Sequence, residues 1–164
     1  MEDSPTIAAA RRFLMLLQEG NPPSDRELAR ALDELAITYH EAPEGDLGED
    51  DAERPTAEQP ARPKAYDNWK KLYGELAARF PNYGYYATAD PTQPVVEAAM
   101  VGDAIDDLAD IVGDLEDVVW RSENIGSDDA HWHFKFHYQA HWGMHLRELS
   151  LYLHAKIWRA SDWD

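Results

Sequence analysis

The sequence predicts an all-α protein: a single-domain bundle of about five helices over residues 1–164, with one long acidic loop. Apolar residues recur at spacings of three and four in five segments, which is the periodicity of amphipathic helices. A convincing alternation of apolar and polar residues, the pattern of a half-buried strand, is not found. The length of 164 residues fits one domain, because a chain of about 150 residues buries roughly 68–70% of its unfolded surface.

The first two helices have clear start and stop signals. The apolar periodicity predicts a helix over residues 7–19, which the run Gly20-Asn21-Pro22-Pro23 ends. Ser24 and Glu27 form a capping box, in which each side chain accepts a hydrogen bond from an amide that the helix leaves unpaired. The second helix then runs to about His40.

A segment of different composition follows from Glu41 to Pro63. It holds eight acidic residues, two arginines and four prolines, and Leu47 is its only sizeable apolar side chain. Such a segment cannot bury enough apolar surface to offset the entropy of ordering, so we expect an exposed acidic linker or loop inside the domain. The alternative is a docking strip for a basic protein partner.

A third helix is predicted from Tyr66 to Phe80, where Pro81 ends it. The residues from Pro81 to Pro94 are rich in tyrosine and proline, and we expect an irregular connector there rather than a pair of strands. Val95-Val96 is the only candidate strand and is too short.

The fourth and fifth helices complete the predicted bundle. The fourth runs from Val101 to Asn124, and the last runs unbroken from about Ala130 to Ala160. Apolar residues lie on more than one side of the last helix, so we expect it at the centre of the fold. Gly143, next to Trp142, would allow another helix to approach closely.

Composition excludes several classes of protein. The chain carries 15 Lys plus Arg against 32 Asp plus Glu, a formal net charge of −17, which argues against direct binding to nucleic acid or to anionic membranes. It has no cysteine, so disulfides, thiolate metal sites and cysteine nucleophiles are excluded. The first residues lack a basic leader and a sufficiently long apolar run, and a cytoplasmic protein is the expectation.

Two stripes of chemically active residues stand out on the last two helices. On the fourth helix, six aspartates share one face: Asp103, Asp106, Asp107, Asp110, Asp114 and Asp117. On the fifth, four histidines follow one another at intervals of four: His133, His137, His141 and His145. Side chains four apart on a helix lie on the same face, so two imidazoles can reach one ion.

The candidate metal ligands are therefore Asp103, Asp107, Asp110, Asp114, His137, His141 and His145. Imidazole suits zinc, iron, manganese or nickel better than magnesium, and a divalent metal is the only cofactor this pattern supports. The competing interpretation is that an acidic helix and a more basic helix pair through their charges. No catalytic residue is assigned, because the chain has neither a glycine-rich phosphate loop nor a nucleophile elbow.

The region from Tyr66 to Trp158 also resembles an uncharacterised bacterial family, the domain of unknown function DUF5063. The resemblance implies a bacterial, all-helical, single-domain protein and brings no activity with it. It rests on Phe80-Pro81, Tyr83, Tyr86, Asp90-Pro91, Val101-Gly102-Asp103, Asp106-Asp107-Leu108-Ala109-Asp110-Ile111, Asp114-Leu115, Trp132, Phe134, Phe136, His141-Trp142-Gly143-x-His145 and Leu153-His154.

The sequence favours a non-enzymatic interaction or regulatory domain that acts through protein contacts, with a basic protein as the fitting partner. The alternative is a small metal-binding protein or metal-dependent hydrolase that uses the two stripes. A third class, an acidic mimic of nucleic acid, would need regularly spaced surface carboxylates. Whether the two stripes face each other is the observation that bears most directly on the choice.

Overall fold

The computed structural model describes residues 3–47 and 65–159. Within these ranges the chain is a mainly helical single domain, as predicted, with a small antiparallel sheet of two strands. The helices are α1 Pro5–Gln18, α2 Asp25–Glu41, α3 Ala65–Arg79, α4 Ala104–Asn124, α5 Ser127–His137 and α6 Gly143–Trp158, and the strands are β1 Tyr85–Ala89 and β2 Ala99–Asp103.

The helix starts follow from local capping chemistry. Ser4 caps α1, because its Oγ accepts a hydrogen bond from the Ile7 amide at 3.3 Å. The predicted capping box of α2 is confirmed, with the Glu27 amide 3.2 Å from Ser24 Oγ and the Ser24 amide 2.7 Å from Glu27 Oε2. Each such cap stabilises a helix by about 0.5–2 kcal/mol.

Helix α4 lies at the centre of the domain, where the sequence had suggested the last helix. It packs against α1, α3, α5 and α6. Its apolar face is fully buried, and Leu108, Ile111 and Leu115 each expose 0% of their surface. The aspartates on the other side of the helix therefore need polar partners or contact with solvent.

The connector after α3 contains a β-hairpin, so the expectation of an irregular segment was wrong. Tyr85 pairs with Asp103 and Ala89 with Ala99 in β1 and β2, and a 3₁₀ turn at Val95–Glu97 lies between the strands. Every second residue of β1 is only half-buried and the others are exposed. This shallow burial explains why the strands leave little alternation in the sequence. Because β2 extends to Asp103, α4 begins three residues later than predicted.

The predicted last helix is present, but its hydrogen-bonding pattern changes in the middle. A π-helical turn at Tyr138–Trp142 joins α5 to α6. Gly143 sits directly against this turn, and a Cβ there would lie 2.3 Å from the carbonyl oxygen of Tyr138. The three atoms nearest to such a Cβ all belong to Tyr138, so the tightest contact that requires glycine here is within its own helix.

The predicted acidic linker, Glu41 to Pro63, lies largely outside the described residues. Its first part packs on α5: the Asp46 amide donates to the Asp128 carbonyl at 3.2 Å, and Lys135 Nζ lies 3.2 Å from the Ala42 carbonyl oxygen. Gly45 has a φ of +71°, and a Cβ there would lie 2.4 Å from the Asp128 carbonyl oxygen. The chain thus needs glycine where it crosses the start of α5.

Candidate metal centre

The aspartate stripe of α4 and the histidine stripe of the last helix face each other. The two helices pack together in opposite chain directions: Asp107, early in α4, meets His145, and Asp117, later in α4, meets His133 and His137. We call this line of facing side chains the Asp–His seam. Its residues form two groups, and the geometry of each can be given separately.

The outer group consists of Asp110, His141 and His145. Oδ2 of Asp110 lies 3.2 Å from Nε2 of His145 and 3.8 Å from Nε2 of His141. One ligand atom from each of the three residues lies within 4.8 Å of the other two. The imidazole of His141 is 47% exposed, so the outer group opens to solvent.

Both imidazoles of the outer group are held from behind by carboxylates. Nδ1 of His141 lies 2.7 Å from Oδ2 of Asp114, and Nδ1 of His145 lies 2.8 Å from Oδ1 of Asp107. An ionised carboxylate can only accept, so the ring nitrogen facing it carries the proton. In the neutral form of each ring, Nε2 is then the electron-pair donor, and it lies on the side of Asp110. In the protonated form, Nε2 of His145 pairs with Asp110 instead.

Asp107 is itself fixed by its surroundings. It exposes 2% of its surface, and the hydroxyl of Tyr86 donates a hydrogen bond to its second oxygen. The ring of Tyr86 crosses the sheet over Gly102, where a Cβ would lie 2.3 Å from the ring. The hairpin thus contributes to the seam, because it brings this phenol to the carboxylate behind His145.

The carboxylates of the seam have pKa values displaced in opposite directions. Burial raises the pKa of Asp110 to about 6, with Asp106 adding to the shift and His145 opposing it. At Asp114 burial acts in the same upward direction, but the facing imidazoles of His137 and His141 outweigh it and lower the pKa. The ionised form of Asp110 is therefore poorly compensated, whereas Asp114 is well supported as an anion.

The imidazoles of the outer group hold protons more strongly than a free histidine. The hydrogen bond to Asp114 raises the pKa of His141, against the effect of burial. Burial lowers the pKa of His145, but the hydrogen bond to Asp107 and the charge of Asp110 outweigh it, and the net direction is upward. Without a metal ion, these rings can serve as the local cations for the aspartates.

The inner group consists of Asp117, His133 and His137, which again offer ligand atoms within 4.8 Å of one another. Nδ1 of His133 lies 3.5 Å from Nε2 of His137. Arg121, which is 2% exposed, binds Asp117 at 2.9 Å and Asp129 at 3.0 Å. Burial, with the charge of Arg121 added, lowers the pKa of His133 to about 4, so its ring is neutral at physiological pH.

The structure separates the predicted site residues by role. Asp110, His141 and His145 meet as candidate ligands, and Asp107 and Asp114 lie behind them. His137 belongs to the inner group. Asp103 stands apart, because it caps α4 by accepting from the Ile105 amide at 3.0 Å and accepts from the Tyr73 hydroxyl at 2.8 Å.

Sequence reasoning left Asp117 and His133 out of the candidate ligands, although both belong to the stripes. An antiparallel arrangement of the two helices would have predicted them. If Asp107, near the start of α4, meets His145, then Asp117, ten residues further along α4, meets histidines that precede His145 in the chain. Tyr86, Arg121 and Asp129 carry no comparable signal, because they reach the seam only through the tertiary fold.

Within the described ranges, no helix combines the length and the apolar character needed to cross a membrane. Neither a known protein-family model nor a curated protein matches this sequence, so the resemblance to DUF5063 stays a prediction. The fold is similar to the crystal structure of protein BF1032 from Bacteroides fragilis, with a TM-score of 0.62 and 18% sequence identity. The match covers 92% of this chain and 88% of that chain, and it concerns the fold alone.

Proposed function

We propose that the protein binds one divalent transition-metal ion at the outer group, with Asp110, His141 and His145 as its ligands. The observation that carries this proposal is the orientation of the two imidazoles. Each ring has its Nδ1 on an aspartate and its Nε2 towards Oδ2 of Asp110. This is the arrangement in which an outer carboxylate orients a metal-binding histidine and raises its basicity.

The distances between the ligand atoms are compatible with a shared ion. Ligands held about 2.0–2.1 Å from a tetrahedral ion lie roughly 3.3 Å from one another. The atoms of Asp110 and His145 are already 3.2 Å apart, and those of Asp110 and His141 are 3.8 Å apart. The three ligand atoms all lie within 4.8 Å of one another, and the partly exposed His141 ring would move closer on binding.

The ligand types define the metal. Two imidazoles and one carboxylate suit zinc, manganese, iron, cobalt or nickel, whereas magnesium prefers an all-oxygen octahedron. Three protein ligands leave a coordination position for water, and the exposed side of His141 gives solvent a route to it. Activation of this water for hydrolysis is the enzymatic form of the proposal.

Calorimetric titration of the metal-stripped protein tests the proposal. We expect saturable binding of Zn²⁺, Mn²⁺ or Ni²⁺ at pH 7.5, weak or no binding of Mg²⁺, and loss of the outer ion in the double variant His141→Ala, His145→Ala. His154→Ala is the matched control, because His154 is exposed on the same helix and belongs to neither group. Equal binding by the double variant and wild type, with unchanged circular dichroism, would remove the proposal.

A second candidate function, contact with another protein, is favoured by the hairpin. Its large apolar side chains face solvent, among them Tyr85 at 77%, Val95 at 93% and Val96 at 90%. Val95 and Val96 are adjacent in the connection between the strands, and contiguous exposed apolar surface is a feature of protein contact sites. Affinity capture with wild type and with Val95→Asp, Val96→Asp tests this function, which requires a specific partner that the variant loses.

A further inference from the structure

We propose that the inner group is a second ion position, so that the Asp–His seam holds two divalent ions, both supported by Asp114. This inference rests on the proposed function at the outer group. The ligands of the second ion are Asp117 on α4 and His133 and His137 on α5. Those of the first are Asp110 on α4, His141 in the π turn and His145 on α6.

Of the inner imidazoles, His137 has the orientation of the outer ones, with Nε2 towards its group, whereas His133 is reversed and directs Nδ1 there. Nδ1 of His133 and Nε2 of His137 lie 3.5 Å apart, close to the roughly 3.3 Å expected for two ligands of one tetrahedral ion. The other nitrogen of each ring faces a carboxylate: Nε2 of His133 lies 3.7 Å from Asp129, and Nδ1 of His137 lies 3.6 Å from Asp114. Each histidine of the seam thus directs one nitrogen towards its own group and the other towards an aspartate, at 2.7 and 2.8 Å in the outer group and at 3.6 and 3.7 Å in the inner group.

Asp114 connects the two groups. Its Oδ1 faces Nδ1 of His137 in the inner group, and its Oδ2 faces Nδ1 of His141 in the outer group. One carboxylate therefore orients one ligand of each ion. Loss of this carboxylate should weaken binding at both positions, whereas loss of any imidazole should affect mainly its own position.

Burial at the inner group leaves polar atoms without a partner on the side of the two rings that faces the aspartates. The side chain of His133 is 6% exposed, and its Nε2 has no hydrogen-bond partner within residues 3–47 and 65–159. The same holds there for Nδ1 of His137 and Oδ2 of Asp129. Polar atoms that are buried without a partner destabilise the folded state. An ion bound to Nδ1 of His133 and Nε2 of His137 would place the ring proton of each histidine on the nitrogen that faces its aspartate.

The charges of the inner group also fit a divalent cation. Asp114, Asp117 and Asp129 are three carboxylates, and the buried guanidinium of Arg121 binds two of them. When the imidazole rings are neutral, the three carboxylates and Arg121 leave a net negative charge that a doubly charged ion balances. A buried set of charges is stable only when it is paired in this way.

The stoichiometry of Zn²⁺ and Co²⁺ binding tests the inference. We expect two ions per chain in wild type by elemental analysis and by calorimetry. The inner variant His137→Gln should retain one ion, and so should the outer double variant His141→Ala, His145→Ala. Asp114→Asn should weaken both ions by about tenfold or more. His137 is partly exposed, so its replacement disturbs packing less than that of His133, and His154→Ala again serves as the control.

The possible results separate the two proposals. One ion in wild type that only the outer variant loses would overturn the second position and leave the proposed function intact. One ion that only His137→Gln loses would overturn the proposed function and the pair together. No ion bound by a folded wild type would also overturn both. Two ions bound by folded His137→Gln would show that the inner ligands are wrongly assigned.

Discussion

The outer and inner groups have the same composition, one aspartate from α4 and two histidines from the last helical segment. The inner histidines are on α5, and the outer ones are in the π turn and on α6. They differ in how their charge is balanced. The inner group has its own permanent cation, the buried Arg121, and its His133 is neutral. In the outer group, Asp110 faces the two titratable imidazoles instead, and its pKa is raised to about 6.

This difference shows that charge along one seam of facing side chains can be balanced in two ways, by a permanent cation of the protein or by protons and added ions. Around the inner group, Arg121 pairs with two of the carboxylates, so part of the negative charge there is balanced by the protein itself. At the outer group, the balance depends on the protonation of His141 and His145 or on an added cation. A site that keeps an unfavourable charge in its ion-free state is poised to bind an ion.

The largest effect is expected from Arg121→Met. Removal of this guanidinium leaves Asp117 and Asp129 buried without their cation, which should lower the free energy of unfolding by about 3–5 kcal/mol. Urea denaturation of the metal-free protein measures it. Arg30→Met is the control, because the ion pair of Arg30 with Glu34 is exposed and its loss should cost less than about 1 kcal/mol. Similar losses in both variants would contradict the role of Arg121.

The histidines of the two groups should titrate in opposite directions in the metal-free protein. NMR should find His133 neutral down to about pH 4, and His141 and His145 with midpoints above 6.5. Because the folded state keeps His133 neutral, this residue lowers stability as the pH falls from 6.5 towards 4, by up to about 3 kcal/mol. A midpoint for His133 at or above 6.5 would show that it is not buried beside Arg121.

For His141 and His145 the sign of the pH dependence is reversed. Their pKa values are higher in the folded state, so their contribution to stability is complete below the unfolded value of 6.5. It is lost as the pH rises through their folded values. The apo protein should therefore lose the support of the outer group on the alkaline side, which is also where neutral rings become available to a metal ion.

A smaller effect, about 1–3 kcal/mol, is expected from Gly143→Ala. The added Cβ would lie 2.3 Å from the Tyr138 carbonyl, so the π turn must shift. Gly74→Ala is the matched control, because nothing lies within 4 Å of a Cβ at that helical position, and the change should be neutral or stabilising. Thermal unfolding compares the two. The Gly143→Ala variant should also bind the outer ion more weakly, since the turn carries His141.

The sequence was informative where the structure is helical. Helical spacing predicted that the aspartates share one face and the histidines another, and it needed only the antiparallel packing of two adjacent helices to bring them together. For Asp103 the prediction of a position inside the fourth helix was wrong. The apolar periodicity extends back to Val101, but strand β2 continues to Asp103, and Asp103 caps the helix that follows.

The remaining features depend on tertiary structure. A π turn cannot be recognised from a pattern that is assumed to repeat every 3.6 residues. Its wider turn changes the direction in which the side chains that follow it, on α6, are presented. The hairpin was missed because its strands are short and mostly exposed. As a result, neither the phenol of Tyr86 behind Asp107 nor the pairing of Arg121 with Asp129 could be expected from spacing alone.

The smallest expected effect is the change in stability when the aspartate of each group is replaced by asparagine, and its sign differs between the two groups. Asp110→Asn removes a carboxylate whose raised pKa means that its ionised form is less favourable in the folded protein than in the unfolded chain. At pH 7.5 the metal-free variant should therefore be more stable than wild type, by roughly 1–2 kcal/mol after allowance for the lost attraction to His145. The corresponding inner variant, Asp117→Asn, should be less stable, because it weakens the pair with Arg121. Urea denaturation with and without Zn²⁺ measures both effects. If Asp110→Asn destabilises the metal-free protein, the outer aspartate is a structural partner of the histidines and not a residue kept at a cost for an ion.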